Sequence, residues 1–165
     1  MRMGFGYDVH PLVPNRPLIL GGVRIPYLLG LQGHSDADVL THAICDALLG
    51  AIAEGDIGRH FPDTDPQYRN IPSLLLLKKV FEIVKEKGFQ ILNIDTTIVA
   101  EKPKLIEYFP KMIKMISEVL EMETGRISIK ATTTEGLGFA GRGEGIAAYA
   151  IALVQEGSGP PPSVL

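Results

Sequence analysis

The segment Ile146-Ala-Ala-Tyr-Ala-Ile-Ala-Leu-Val154 is apolar at every position. Successive residues of a strand point to opposite faces, so a strand written this way must be covered on both sides. It belongs inside a layered sheet, and any sheet face left bare by helices is to be covered by oligomerisation. The rest of the chain supplies the layers. Residues 2–13 read as a first strand, and 18–26 as an extended segment bent at Gly21-Gly22. Helices are predicted from Asp38 to about Ala53, between Pro72 and Gly88, and from Pro110 to Thr124 with Gly125 as a cap. Residues 90–100 and 126–134 are rich in β-branched residues and read as strands. Residues 27–37, 55–70 and 135–145 carry turn signals and read as loops. This order predicts an α+β fold: a four- to five-stranded mixed sheet with helices on one face.

The chain has 165 residues, which suits one domain. That domain is assigned to residues 1–155. The tail 156–165 contains Gly-Ser-Gly and three prolines, reads as a flexible linker, and is expected to be an engineered scar. A content of 45% hydrophobic and 21% charged residues is that of an ordinary globular protein, and a net charge of −3 argues against a nucleic-acid binder. No apolar run reaches the ~18 residues of a membrane span. The N-terminus lacks the apolar core of a signal peptide. The single cysteine, Cys45, excludes an internal disulfide, so the expected location is the cytoplasm.

The chemistry is concentrated at the front. All four histidines precede residue 61, whereas the first lysine is Lys78. Asp8 and His10 are two apart on a predicted strand and so share a face. His42, from the first helix, would complete a set of two imidazoles and one carboxylate. That set suits catalytic zinc with an open position, and equally the facial triad of non-haem iron. Asp38, His42 and Asp46 are spaced four apart and form one polar stripe on the helix. A cation would neutralise these carboxylates, and Asp46 is placed to orient His42 from behind. The run Lys130 to Glu135 leads into a Gly-rich loop ending at Gly145. Its threonine hydroxyls and loop amides are donors for phosphate, and Glu135 suits a hard divalent ion.

These residues carry a resemblance. Gly6-Tyr7-Asp8-Val9-His10, Gly21 to Pro26, His34-Ser35-Asp36-Ala37-Asp38, Asp46 to Gly50, Gly55 to Gly58, Phe61 to Asp65 and Lys130 to Gly145 closely resemble the 2-C-methyl-D-erythritol 2,4-cyclodiphosphate synthases of the non-mevalonate isoprenoid pathway. The resemblance covers residues 1–155. It implies a phosphorus–oxygen lyase that turns 4-diphosphocytidyl-2-C-methyl-D-erythritol 2-phosphate into the cyclic diphosphate and releases CMP. It also implies zinc on Asp8, His10 and His42, and magnesium or manganese on Glu135. His34 and Ser35 would hold the 2-phosphate, while Asp56, Gly58 and Asp63 would touch the methylerythritol chain. Ala100, Lys104, Ala131, Thr132 and Thr133 would form the cytidine and diphosphate pocket, with Phe139 and Arg142 beside it. His34 and Thr133 would position the transition state.

The resemblance further implies a homotrimer packed through its sheets, active sites between subunits, and a central cavity that takes an isoprenoid diphosphate near Arg142 and Glu144. Its members work in the cytoplasm, or in the plastid stroma of plants. The chain departs from the family pattern at Tyr7, Ala37, Gly136 and Ala140, where phenylalanine, glycine, lysine and threonine are common. Two competing readings are a metal-dependent oxygenase using the same Asp8, His10 and His42, and a non-catalytic trimeric module for assembly or lipid-diphosphate binding.

Overall fold

A computed structural model describes residues 1–62 and 64–157. Asp63 lies outside the described residues, and so does the tail beyond Gly157. Among the described residues seven strands form: β1 (Arg2–Pro14), β2 (Leu18–Leu20), β3 (Val23–Ile25), β4 (Leu29–Leu31), β5 (Phe89–Val99), β6 (Ile127–Thr132) and β7 (Gly145–Glu156). Five make a mixed sheet in the order β4-β1-β7-β5-β6, in which only β5 and β6 run parallel. The all-apolar segment lies in β7, the central strand. The segment 18–26 is not one bent strand. It folds into a separate β2–β3 hairpin whose turn, Gly21-Gly22, takes φ of +56° and +73°, a conformation open to glycine.

The described residues also form five α-helices: α1 (Val39–Ala51), α2 (Ile57–His60), α3 (Ser73–Glu86), α4 (Phe109–Val119) and α5 (Gly138–Gly141). The single-turn helices α2 and α5 interrupt stretches expected to be loop throughout. The short strand β4 interrupts the stretch 27–37 in the same way. Helix α1 is the centre of the core: Leu40, Ala43, Ile44, Ala47 and Leu48 are all fully buried, as the apolar arc of its sequence requires.

The alternation of β1 decides how closely that helix lies on the sheet. Gly4 and Gly6 share the face of Asp8 and His10. A Cβ at Gly6 would stand 1.9 Å from the carbonyl oxygen of Ala43, and one at Gly4 1.8 Å from that of Ala47. With only hydrogen at both positions, the backbone of α1 rests directly on β1. The other face of the sheet is uncovered: Met3, Phe5, Tyr7 and Val9 of β1 are exposed, as are Tyr149 and Ile151 of β7. Phe5 pairs with Ile151 and Tyr7 with Tyr149 across the two strands, and the two tyrosine rings lie 5.0 Å apart.

Candidate metal centre

Asp8 and His10 reach from β1 toward α1, and His42 comes down from the helix to meet them. Asp8 Oδ2 lies 2.9 Å from His10 Nε2 and 2.9 Å from His42 Nδ1, and the two imidazole nitrogens are 3.3 Å apart. Ligands held about 2.0 Å from a tetrahedral ion stand roughly 3.3 Å from one another, so this triangle fits one first-row cation and leaves a fourth position. Burial by itself would raise the Asp8 carboxyl, but the hydrogen bonds from His10 and His42 outweigh it and hold the group well below the usual carboxylate range. Burial would lower His42, yet its hydrogen bond to Asp8 carries it upward. The centre is thus an electronegative corner that favours a cation or protons.

The triad borders a cleft of about 490 Å³, whose walls include His34, Ser35, Ile57, Gly58, Phe61 and Tyr68. His34 is exposed on one side of it, and Ser35 is buried behind. Asp56 caps α2 through the amide of Arg59 at 3.0 Å.

The polar stripe of α1 does not act as one unit. Asp38 is fully buried, but its charge is met by hydrogen bonds and not by a cation. Its carboxylate accepts from the amides of Gly21 and Gly22, at 2.9 and 2.7 Å, and from the amide and hydroxyl of Thr41, at 3.0 and 2.8 Å. It caps α1 and pins the β2–β3 hairpin to it. Asp46 does not orient His42. Its Oδ1 accepts from the amide of Ile57 at 2.8 Å and so ties down the start of α2, a wall of the cleft. Both nitrogens of His42 are engaged elsewhere: Nδ1 meets Asp8, and Nε2 faces Ser73 Oγ at 2.8 Å and Ser35 Oγ at 3.1 Å. Ser73 stands 31 residues from His42 and belongs to no motif, so sequence reading missed it. Ala37 has φ of +58°, a left-handed conformation that costs an alanine about 1–2 kcal/mol.

A second group of expected residues gathers at the same end of the sheet but on different strands. Asp8, Ala148, Ile98 and Ala131 stand in one row across β1, β7, β5 and β6. Three strand spacings of about 4.8 Å put β6 about 14 Å from β1. Ala131, Thr132, Thr133, Glu135 and Phe139 are exposed there, with Lys104 beyond the end of β5 and Ala100 buried at it. Thr133 Oγ1 donates to Glu135 at 2.9 Å. One oxygen of Glu101, a residue the sequence reading passed over, accepts from the Thr134 amide, the Thr134 hydroxyl and the Gly136 amide at 2.9, 3.2 and 3.2 Å. It clamps the turn that carries Glu135. Arg142 donates through two nitrogens to Glu144, at 2.8 and 2.9 Å, on the exposed surface. Within one chain this group does not reach the triad.

Comparison with known proteins gives one consistent result. The model of the YgbB family matches residues 1–155. The 2-C-methyl-D-erythritol 2,4-cyclodiphosphate synthase of Geotalea daltonii is 63% identical over 155 residues, covering 94% of this chain and 91% of that protein. The synthase of the same name from Bacillus subtilis is 58% identical over 156 residues, covering 94% and 99%. Among solved structures, a 2C-methyl-D-erythritol-2,4-cyclodiphosphate synthase in a CDP-bound form superposes with a TM-score of 0.86 at 35% identity, over 93% of this chain and all of the other. The bifunctional IspDF of Campylobacter jejuni superposes with a TM-score of 0.91 at 45% identity, over 94% of this chain; the chain spans 42% of that longer protein.

Proposed function

The chain belongs to the YgbB family, and on that premise we propose that it forms 2-C-methyl-D-erythritol 2,4-cyclodiphosphate in the non-mevalonate isoprenoid pathway. The observation that carries this is the convergence of Asp8, His10 and His42 on one point at the edge of a cleft lined by His34 and Ser35. The substrate is 4-diphosphocytidyl-2-C-methyl-D-erythritol 2-phosphate. Its 2-phosphate oxygen attacks its own β-phosphorus and CMP departs, which makes the enzyme a phosphorus–oxygen lyase. The nucleophile belongs to the substrate, so the protein has to fold the molecule back on itself and offset charge.

Asp8, His10 and His42 hold zinc, and Glu135 holds magnesium or manganese; such ions, when bound, polarise the phosphoryl oxygens and template the diphosphate. His34 and Ser35 orient the 2-phosphate, and His34 with Thr133 positions the transition state. Asp56, Gly58 and Asp63 line the path of the methylerythritol chain. Ala100, Lys104, Ala131, Thr132 and Thr133 take the cytidine diphosphate part, with Phe139 and Arg142 at its border. In one chain these two groups stand on separate strands, β1 and β6, three strand spacings apart. The uncovered apolar face of β1 and β7 is what a homotrimer packed through its sheets would bury, bringing the second group of one copy to the triad of the next. Arg142 and Glu144 then face the shared cavity, where an isoprenoid diphosphate is the expected guest. The reaction takes place in the cytoplasm or plastid stroma, and the domain ends near residue 155. No helix among the described residues is long and apolar enough to cross a membrane.

Incubation with the diphosphocytidyl substrate tests this reading. The protein should release CMP and the cyclic product, lose both on chelation, and recover them with zinc and magnesium. The variant H42A should release none. CMP release by H42A at the rate of the unaltered protein refutes the assignment.

A further inference from the structure

We propose that Ser73, held by Asp36, is the positioning residue that aims His42 at the cation; the inference rests on the triad being a metal centre. Ser73 opens helix α3 and is fully buried. Its hydroxyl donates to Asp36 Oδ1, and its amide donates to Asp36 Oδ2 at 3.0 Å. A carboxylate is an acceptor only, so the single proton of the Ser73 hydroxyl is committed to Asp36. What Ser73 Oγ offers His42 Nε2, at 2.8 Å, is therefore a lone pair. His42 must donate from Nε2. A neutral imidazole that donates from Nε2 presents its electron pair at Nδ1, the nitrogen beside Asp8 Oδ2 and His10 Nε2.

The chain of contacts is thus carboxylate, hydroxyl, imidazole, cation. It is the usual arrangement that fixes the tautomer of a ligating histidine, with a serine hydroxyl inserted. Three elements build it: the turn carrying Asp36, the first residue of α3, and the first turn of α1. Asp36 is itself fixed, since its amide donates to the Ile71 carbonyl at 3.2 Å and its Oδ1 accepts from the Asp38 amide at 3.2 Å. Ser35 Oγ, at 3.1 Å from Nε2, lies farther away and also accepts from the Ala37 amide. It supports the same orientation but is not tied to a carboxylate.

The test measures zinc affinity of the full chain by competition with a chromophoric chelator. S73A should bind zinc about 10- to 100-fold more weakly, and D36N should shift in the same direction by a smaller factor. In zinc-loaded protein the Nε2 proton of His42 should give a sheltered NMR resonance that S73A loses to solvent exchange. A merely structural role for Ser73 would lower the melting temperature of metal-free protein and leave both the affinity and that resonance of the remaining folded protein alone. If S73A does not fold, D36N decides by the same two measurements. Affinities within about twofold of the unaltered protein, with the resonance intact, overturn the proposal. The variant D8A separates the two levels. Zinc lost in D8A but kept in S73A and D36N removes the relay and leaves the metal centre; zinc unaffected by D8A removes both.

Discussion

The site depends on two hydrogens. If the backbone of α1 rests on β1 because Gly4 and Gly6 lack side chains, then G6A must pry helix from sheet. The added Cβ would lie 1.9 Å from Ala43 O, 2.7 Å from Ala47 N and 2.9 Å from Ala43 C. An unstrained carbon–oxygen contact is about 3.3 Å, so the helix has to retreat by about 1.4 Å. The atoms met are backbone on a helix that is itself packed on its other sides, so no rotamer change relieves the clash. Overpacking of this kind costs about 3 kcal/mol, the upper end of its usual range. For a domain of this length that lowers Tm by about 6–12 °C.

The second consequence is functional. Ala43 follows His42, so the retreat also withdraws Nδ1 from a triangle whose edges are 2.9, 2.9 and 3.3 Å. Metal–ligand distances tolerate about 0.2 Å. Zinc affinity should therefore fall by at least about 100-fold, even in folded G6A well below its Tm. Thermal unfolding followed by circular dichroism, with a chelator-competition titration at 15 °C, measures both effects. A G6A protein with unchanged Tm and unchanged zinc affinity would refute the claim that the helix bears on the strand at this point.

Two further outcomes follow from other parts of the sheet. F5D, on the uncovered face, should dissociate the assembly on sedimentation and abolish turnover while zinc binding persists, because the triad is on the opposite face; an unaltered sedimentation profile would contradict packing through the sheets. The exposed Asp95–Lys130 ion pair holds the Asp95 carboxyl below its ordinary value. A depressed folded-state pKa gives stability that is present above the unfolded value, near 3.9, and lost as pH falls through the folded one. D95N should therefore remove well under about 1 kcal/mol at pH 7 and less at pH 2.5, as read from urea unfolding at the two pH values.

The meeting of Asp8, His10 and His42 was legible because strand alternation and helical position each act locally: Asp8 and His10 share a face by spacing alone, and His42 lies on a helix bounded by recognisable signals. The partners of those ligands were not. Asp46 sits one turn beyond His42 and suggested itself as its support, but the support comes from Ser73, brought in by the packing of α3. Asp38 looked like a charge in need of a cation until the hairpin folded its two glycine amides onto it. The Gly-x-Gly of β1 went unread, although glycines inside a strand mark close backbone approach; its spacing to Asp8 fixes which face receives the helix. Sheet order was beyond reach, since it rests on pairings between distant parts of the chain, such as Arg2 at its start with Val154 near its end.

That order has a genetic consequence. The triad and the Thr133–Glu135 turn stand three strand spacings apart, so in the proposed trimer each cleft draws its halves from different polypeptides. Let one allele be damaged at His42 and another at Glu135. Around any ring containing both products there is one junction where the intact triad of one meets the intact turn of the other, whichever is in the majority. Two null alleles of this kind would complement each other, and a cell carrying both would keep a fraction of its isoprenoid flux.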